Sequence, residues 1–183
     1  DLAGDFRKQR DDSAKRLATL FRTWSESRVT FEDALQTELV ALGSEYSKII
    51  VENLGRALNA IARGDGLAFE NATGNHISKL NGLLLQLFEK HGVPQSDCQA
   101  RVLEFLQWDG LHSVPSHQIA SHLFAALARK AAHGQRRPPS AGMLNDIRAI
   151  ASYAPYVDAM FLDKECANLL REIGRRIEYK AQI

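Results

Sequence analysis

With 183 residues, 45% of them apolar and 25% charged, the chain has the make-up of one globular domain, or of one domain with a helical extension. That composition excludes wholesale disorder, and the longest unbroken apolar runs, such as Leu123 to Ala128, are far too short to span a bilayer. Basic and acidic side chains number 23 and 22, so bulk charge neither demands nor excludes a nucleic-acid partner, and any such binding must rely on local patches.

Leu17, Leu20, Phe21 and Trp24 fall at helical spacing and predict a first helix, with the densely charged Asp5 to Arg16 as its exposed start. Thr30 then offers an N-cap, with Asp33 at the capping-box position. Behind it, Phe31, Leu35, Leu39, Leu42, Tyr46, Ile49, Leu54, Leu58 and Ile61 recur every three to five residues. They predict a helix of about thirty residues, roughly 45 Å long, with Gly43 and Gly55 as its weak points. Arg63-Gly64-Asp65-Gly66 ends it, and Gly74 marks a second break. Although Arg63-Gly64-Asp65 spells an adhesion tripeptide, it reads as a helix stop.

Ile77, Leu80, Leu84, Leu87 and Phe88 predict another amphipathic helix, stopped by His91-Gly92-Val93-Pro94. Ser96 is placed to cap a short helix carrying Val102, Leu103 and Leu106; the turn Trp108-Asp109-Gly110 follows. Pro115-Ser116 opens a helix through Ile119, Leu123, Phe124 and Leu127. The run from Gly134 to Ser140 reads as a linker. Beyond it come a helix holding Asp146, a six-residue strand from Val157 to Leu162, a helix through Cys166, Leu169, Leu170 and Ile173, and a weakly alternating final strand from Ile177 to Ile183. The expected fold is mainly α with a small parallel sheet, a helical segment over 1–113 preceding an α/β part over 114–183. The alternative is all-α.

The chemistry concentrates between Asp146 and Glu165. Asp146 lies in an apolar helix and Asp163, 17 residues on, at the end of the expected strand. Two carboxylates at a strand end and on a neighbouring helix are what a divalent metal needs. Asp158 is a third, weaker candidate ligand. On a strand it shares a face with Met160 and Leu162 rather than with Asp163, from which five residues separate it by roughly 16 Å. The plain alternative makes Asp146 a surface residue near a helix start and Asp163 the N-cap of the helix beginning at Lys164.

The wording Asp146-Ile-Arg-Ala-Ile-Ala, then Pro155-Tyr-Val-Asp-Ala-Met-Phe and Leu162-Asp163-Lys164-Glu165, resembles the C-terminal half of a PIN-like domain, a family of metal-dependent ribonucleases. The resemblance implies a compact α/β domain whose acids, here Asp146 and Asp163 as catalytic metal ligands, hold Mg2+ or Mn2+. The metal-activated water would hydrolyse an RNA phosphodiester. It also implies a first strand upstream of Asp1 and a further acid on an early helix, for which Glu32, Glu38, Glu45 and Glu52 are all placed.

Two basic stretches flank the acids: Arg129, Lys130, His133, Arg136 and Arg137, then Arg175, Arg176 and Lys180. Arg136, Arg137 and Lys164 are the candidate RNA contacts; the alternative for every such run is a solvated face. Trp24, Trp108 and Tyr156 are candidates for base stacking or for the core. His112, His117 and His122, five residues apart, do not share a helical face and carry no zinc pattern. Cys98 and Cys166, far apart and without metal-ligand spacing, fit a reduced, cytoplasmic setting. The second functional class is a non-catalytic helical module, in which the helices over 14–88 form a homodimer or a protein-partner surface.

Overall fold

The computed structural model describes the backbone of residues 2–174 and 176–182, and the side chains of 11, 12, 14–174 and 176–182. The described residues are mainly α: α1 Leu2–Glu26, α2 Phe31–Arg63, α3 Gly66–Thr73, α4 His76–Lys90, α5 Gln95–Leu106, α6 Pro115–Ala132, α7 Met143–Tyr153 and α8 Lys164–Ile173, with a 3-10 turn at Asp109–Ser113. Residues 1–39 and 112–183 form one compact unit and Val40–Leu111 another. No helix among the described residues is long and apolar enough to cross a membrane.

In the first unit α6 is the central helix. Ile119, Leu123, Ala125, Ala126, Leu127, Ala128 and Ala131 are all buried, so α6 is apolar around most of its circumference, as a helix enclosed by others must be. It packs against α1, α7 and α8. Its alanines leave room for large neighbours: Met143, Ile147 and Ile150 from α7, and Leu169, Leu170 and Ile173 from α8. Thr30 and Asp33 start α2 as the capping pair expected, the Asp33 amide donating to Thr30 Oγ1 at 3.1 Å and the Thr30 amide to Asp33 Oδ2 at 3.4 Å.

The expected strand from Val157 to Leu162 does not form. Among the described residues, that stretch and the expected final strand meet at one isolated parallel bridge, Ala159 to Gln182. The Met160 amide donates to the Gln182 carbonyl at 3.0 Å, and the Gln182 amide to the Asp158 carbonyl at 2.8 Å. Ile183 lies outside the described residues. Val157, Met160 and Leu162 pack on the helical core while Phe161 is fully exposed. What is missing is a further strand, so an extended segment lies against helices and no ladder is built. The small parallel sheet is therefore corrected to a single bridge, and the architecture fits the all-α alternative.

In the second unit Ile50, Ile77, Val102 and Leu106 form the core, with Tyr46, Ile49, Leu84 and Phe88 against it. Asn53, buried, donates to Asn75 Oδ1 at 3.1 Å and to Ser78 Oγ at 2.9 Å, and accepts from Arg56 at 2.8 Å. Asn81 and Gln99 exchange two amide hydrogen bonds, at 3.0 and 3.2 Å. Asp65 does more than follow a helix stop: it caps α3, accepting from the Ala68 amide at 2.9 Å. Ser96 caps nothing; Pro94 is the N-cap residue of α5, and the Ser96 hydroxyl donates to Asp97.

The long helix buries a face built largely from small residues. Gly43, Ser47, Ile50, Asn53, Ala57 and Ala60 are buried, whereas Leu54, Leu58 and Ile61 are exposed. Gly43 is no weak point. A Cβ there would fall 1.8 Å from the Leu106 carbonyl oxygen, so its lack of a side chain is what lets α2 and α5 approach.

Candidate functional site

Asp146 lies in the first turn of α7, whose start is tied by the Met143 amide donating to the Ser140 carbonyl at 3.1 Å and the Asp146 amide to the Gly142 carbonyl at 3.1 Å. Asp163 is the N-cap of α8, in extended backbone, and its Oδ1 accepts from the Cys166 amide at 2.7 Å. That capping bond places Cys166 beside Asp163. Carboxylate oxygens of Asp146 and Asp163 and the Cys166 Sγ all lie within 4.8 Å of one another. The two starting points of α7 and α8 thus bring together the two aspartates singled out above, without a strand between them.

The electrostatics are those of a crowded acidic pair. Burial pushes the Asp146 carboxyl above its ordinary value, and the negative charge of Asp163 adds to the shift. Burial, with Asp163 acting next as a hydrogen-bond acceptor, pushes the Cys166 thiol up to about 12. The thiol therefore stays protonated at neutral pH; it is 2% exposed and donates to Met143 Sδ at 3.9 Å. Among the described residues neither aspartate has a cationic side chain in ion-pairing range. The donor set is two hard oxygens and one soft sulfur. Mg2+ or Mn2+ would use the carboxylates and complete its shell with water, and engaging the sulfur would require the thiol to lose its proton first.

Asp158 is not part of this group. It is exposed and its carboxylate takes Lys180 Nζ at 2.8 Å in a surface ion pair. No upstream glutamate joins the group among the described residues. Glu32 is instead bound by Arg176 at 2.9 Å, and burial raises the Glu38 carboxyl. Arg136 and Arg137 are exposed in the loop between α6 and α7, and the Arg137 carbonyl accepts from Gln135 at 2.9 Å. Lys164 is exposed at the first position of α8. Arg175 lies outside the described residues. His117 and His122 are bound to backbone carbonyls, of Leu39 and Gln118, each at 2.8 Å. Trp24 packs on the core, while Trp108 and Tyr156 are exposed. Cys166 is the member that sequence reasoning missed. Its position three residues after an N-cap aspartate was the available signal, because that is where the capping bond lands.

Comparison with protein-family models, with curated proteins and with solved structures finds no match for this chain.

Proposed function

We propose that this chain is a helical interaction module that pairs with a second copy of itself through the outer face of α2. One observation carries the reading: Val51, Leu54, Leu58 and Ile61 are 54%, 38%, 67% and 63% exposed. Their spacing of three, four and three residues is the a/d repeat of helices that pair side by side. The residues flanking the stripe, Gly55 and Ala62, are small and uncharged, and an added Cβ at Gly55 would meet nothing within 4 Å. Glu52 and Arg56 lie off the stripe and face each other at 3.9 Å. Two copies meeting antiparallel would set Val51 against Ile61 and Leu54 against Leu58, an isologous contact free of like-charge repulsion. Both cysteines are buried and unpaired, which fits a cytoplasmic setting for such a module. Sedimentation over a range of concentrations tests it. A dimer that Leu58→Glu converts to monomer, with unchanged helical circular dichroism, is expected; a wild-type chain that stays monomeric throughout sinks the reading.

A second reading is favoured by the convergence of Asp146, Asp163 and Cys166. Here the pair holds a divalent cation, Mg2+ or Mn2+, and supplies the metal that PIN-like hydrolysis of RNA would require, with Arg136, Arg137 and Lys164 as outlying phosphate contacts. What supports it is the uncompensated like charge, which a bound cation would relieve. Calorimetric titration of Mn2+ into wild type, Asp146→Asn and Asp163→Asn tests it, since asparagine keeps the N-cap of α8. Binding lost in both variants is the expected result, and no binding to the wild type discards the reading.

A further inference from the structure

Three arginines that are distant in sequence converge on one cavity in the first unit, and the aspartate pair is not among its walls. The cavity has a volume of about 460 Å3 and is lined by Arg28 from the α1–α2 connection, Arg129 from the last turn of α6 and Arg176 from the segment after α8, together with His133, Phe31 and Glu32. A charge run along one helix would place such groups on a solvated face. These come from three separate elements, so the fold itself has gathered them.

Two of the three are held in place. The Arg176 guanidinium lies over the buried Phe31 ring, 4.1 Å from its centroid, and donates to Glu32 at 2.9 Å. Arg129 is anchored by Glu172, which also faces Lys130 at 3.6 Å. Arg28 has no ion-pair or hydrogen-bond partner among the described residues. The lining therefore offers three guanidinium groups against one carboxylate, that of Glu32. Arg176 holds the Glu32 carboxyl below its ordinary value, chiefly through their hydrogen bond. Glu32 is exposed, so this internal anion can be displaced.

We infer that this cavity binds a small phosphorylated molecule, its phosphate held by Arg28, Arg129 and Arg176 in place of the Glu32 carboxylate. Guanidinium forks match the oxygens of a phosphate in pairs, and the dianion of a monoester balances the surplus positive charge. The volume is that of a small-ligand site. Convergence on one cavity, instead of a basic track along a helix, favours a small molecule over a nucleic-acid strand. The inference stands independently of the dimer and of the cation site.

Pyrophosphate is the probe, titrated calorimetrically at low salt into wild type, Arg28→Ala and Glu32→Gln. Arg28 is exposed and has no partner among the described residues, so its removal leaves the fold intact, which circular dichroism checks. Saturable one-to-one binding is expected, weakened about tenfold or more in Arg28→Ala, the loss of one charge-assisted contact. Glu32→Gln, which removes the competing carboxylate, is expected to bind more tightly. No saturable binding to the wild type, or equal binding by all three proteins, overturns the inference. So does a single-stranded oligouridine that binds more tightly than pyrophosphate and is not displaced by it, because the site would then be a nucleic-acid surface.

Discussion

Asp146 and Asp163 illustrate how one residue's environment is set by another's structural duty. Asp163 is fixed by capping α8, and its charge then falls on Asp146, which burial has already pushed upward. A carboxyl whose folded value is raised binds its proton more readily in the native state. Its contribution to stability is thus fully present below the unfolded value near 3.8 and is lost as pH rises through the folded one. Asp146→Asn removes this dependence. In urea unfolding from pH 3 to pH 7, the variant is expected to gain on the wild type as pH rises, with the gap vanishing at the acid end. A gap that does not change with pH would show that the Asp146 carboxyl is not raised in the folded state. The two aspartates were legible in the sequence as residues at helix and segment starts. The strand invoked to join them was not needed, since two helix starts suffice. Cys166 stayed hidden because a lone cysteine carries no metal spacing, and only the cap geometry brings it in.

At the level of the element, most local signals match the structure, Ser96 excepted, whereas non-local ones do not. The capping pair of Thr30 and Asp33, the positive φ of Gly92 after α4 and Pro115 at the start of α6 are all decided within a few residues of chain. Pairing of 157–162 into a sheet depends on a distant partner, and packing of Val157, Met160 and Leu162 against helices accommodates the same apolar residues. The buried face of α2 is hidden in the sequence for a related reason. Apolar periodicity marks large side chains, whereas the buried face from Gly43 to Ala60 is built largely from small ones that allow close packing. Gly43→Ala separates these effects. Helix propensity alone would stabilise the protein by about 0.5–1 kcal/mol. Collision of the new methyl with the Leu106 carbonyl is instead expected to destabilise it by about 1–3 kcal/mol, read as a lower urea midpoint. A midpoint at or above that of the wild type would mean that α2 and α5 separate easily.

The whole molecule was legible as a mainly helical chain because length, composition and repeated 3.6-residue periodicity all bear on that scale. Its division was not, because residues 1–39 and 112–183 gather into one unit from both sides of Val40–Leu111, and no linker composition marks a change of partner within the single helix α2. The basic cavity was hidden for the same reason. Arg28, Arg129 and Arg176 are neighbours only after folding, although two of the three lay in stretches already noted as basic.

The two cysteines have a use that follows from where they lie. Cys98 is in one unit and Cys166 in the other, and each is 2% exposed. An alkylating reagent reaches a buried thiol only when the structure around it opens, so each sulfur times the opening of its own unit. Labelling of the intact chain, followed site by site by mass spectrometry, is expected to yield one rate if the units open together and two if they open separately. Leu58→Glu would provide the reference, since loss of a pairing surface on α2 should speed modification of Cys98 first. The chain thus carries a clock in each half, readable with no probe attached.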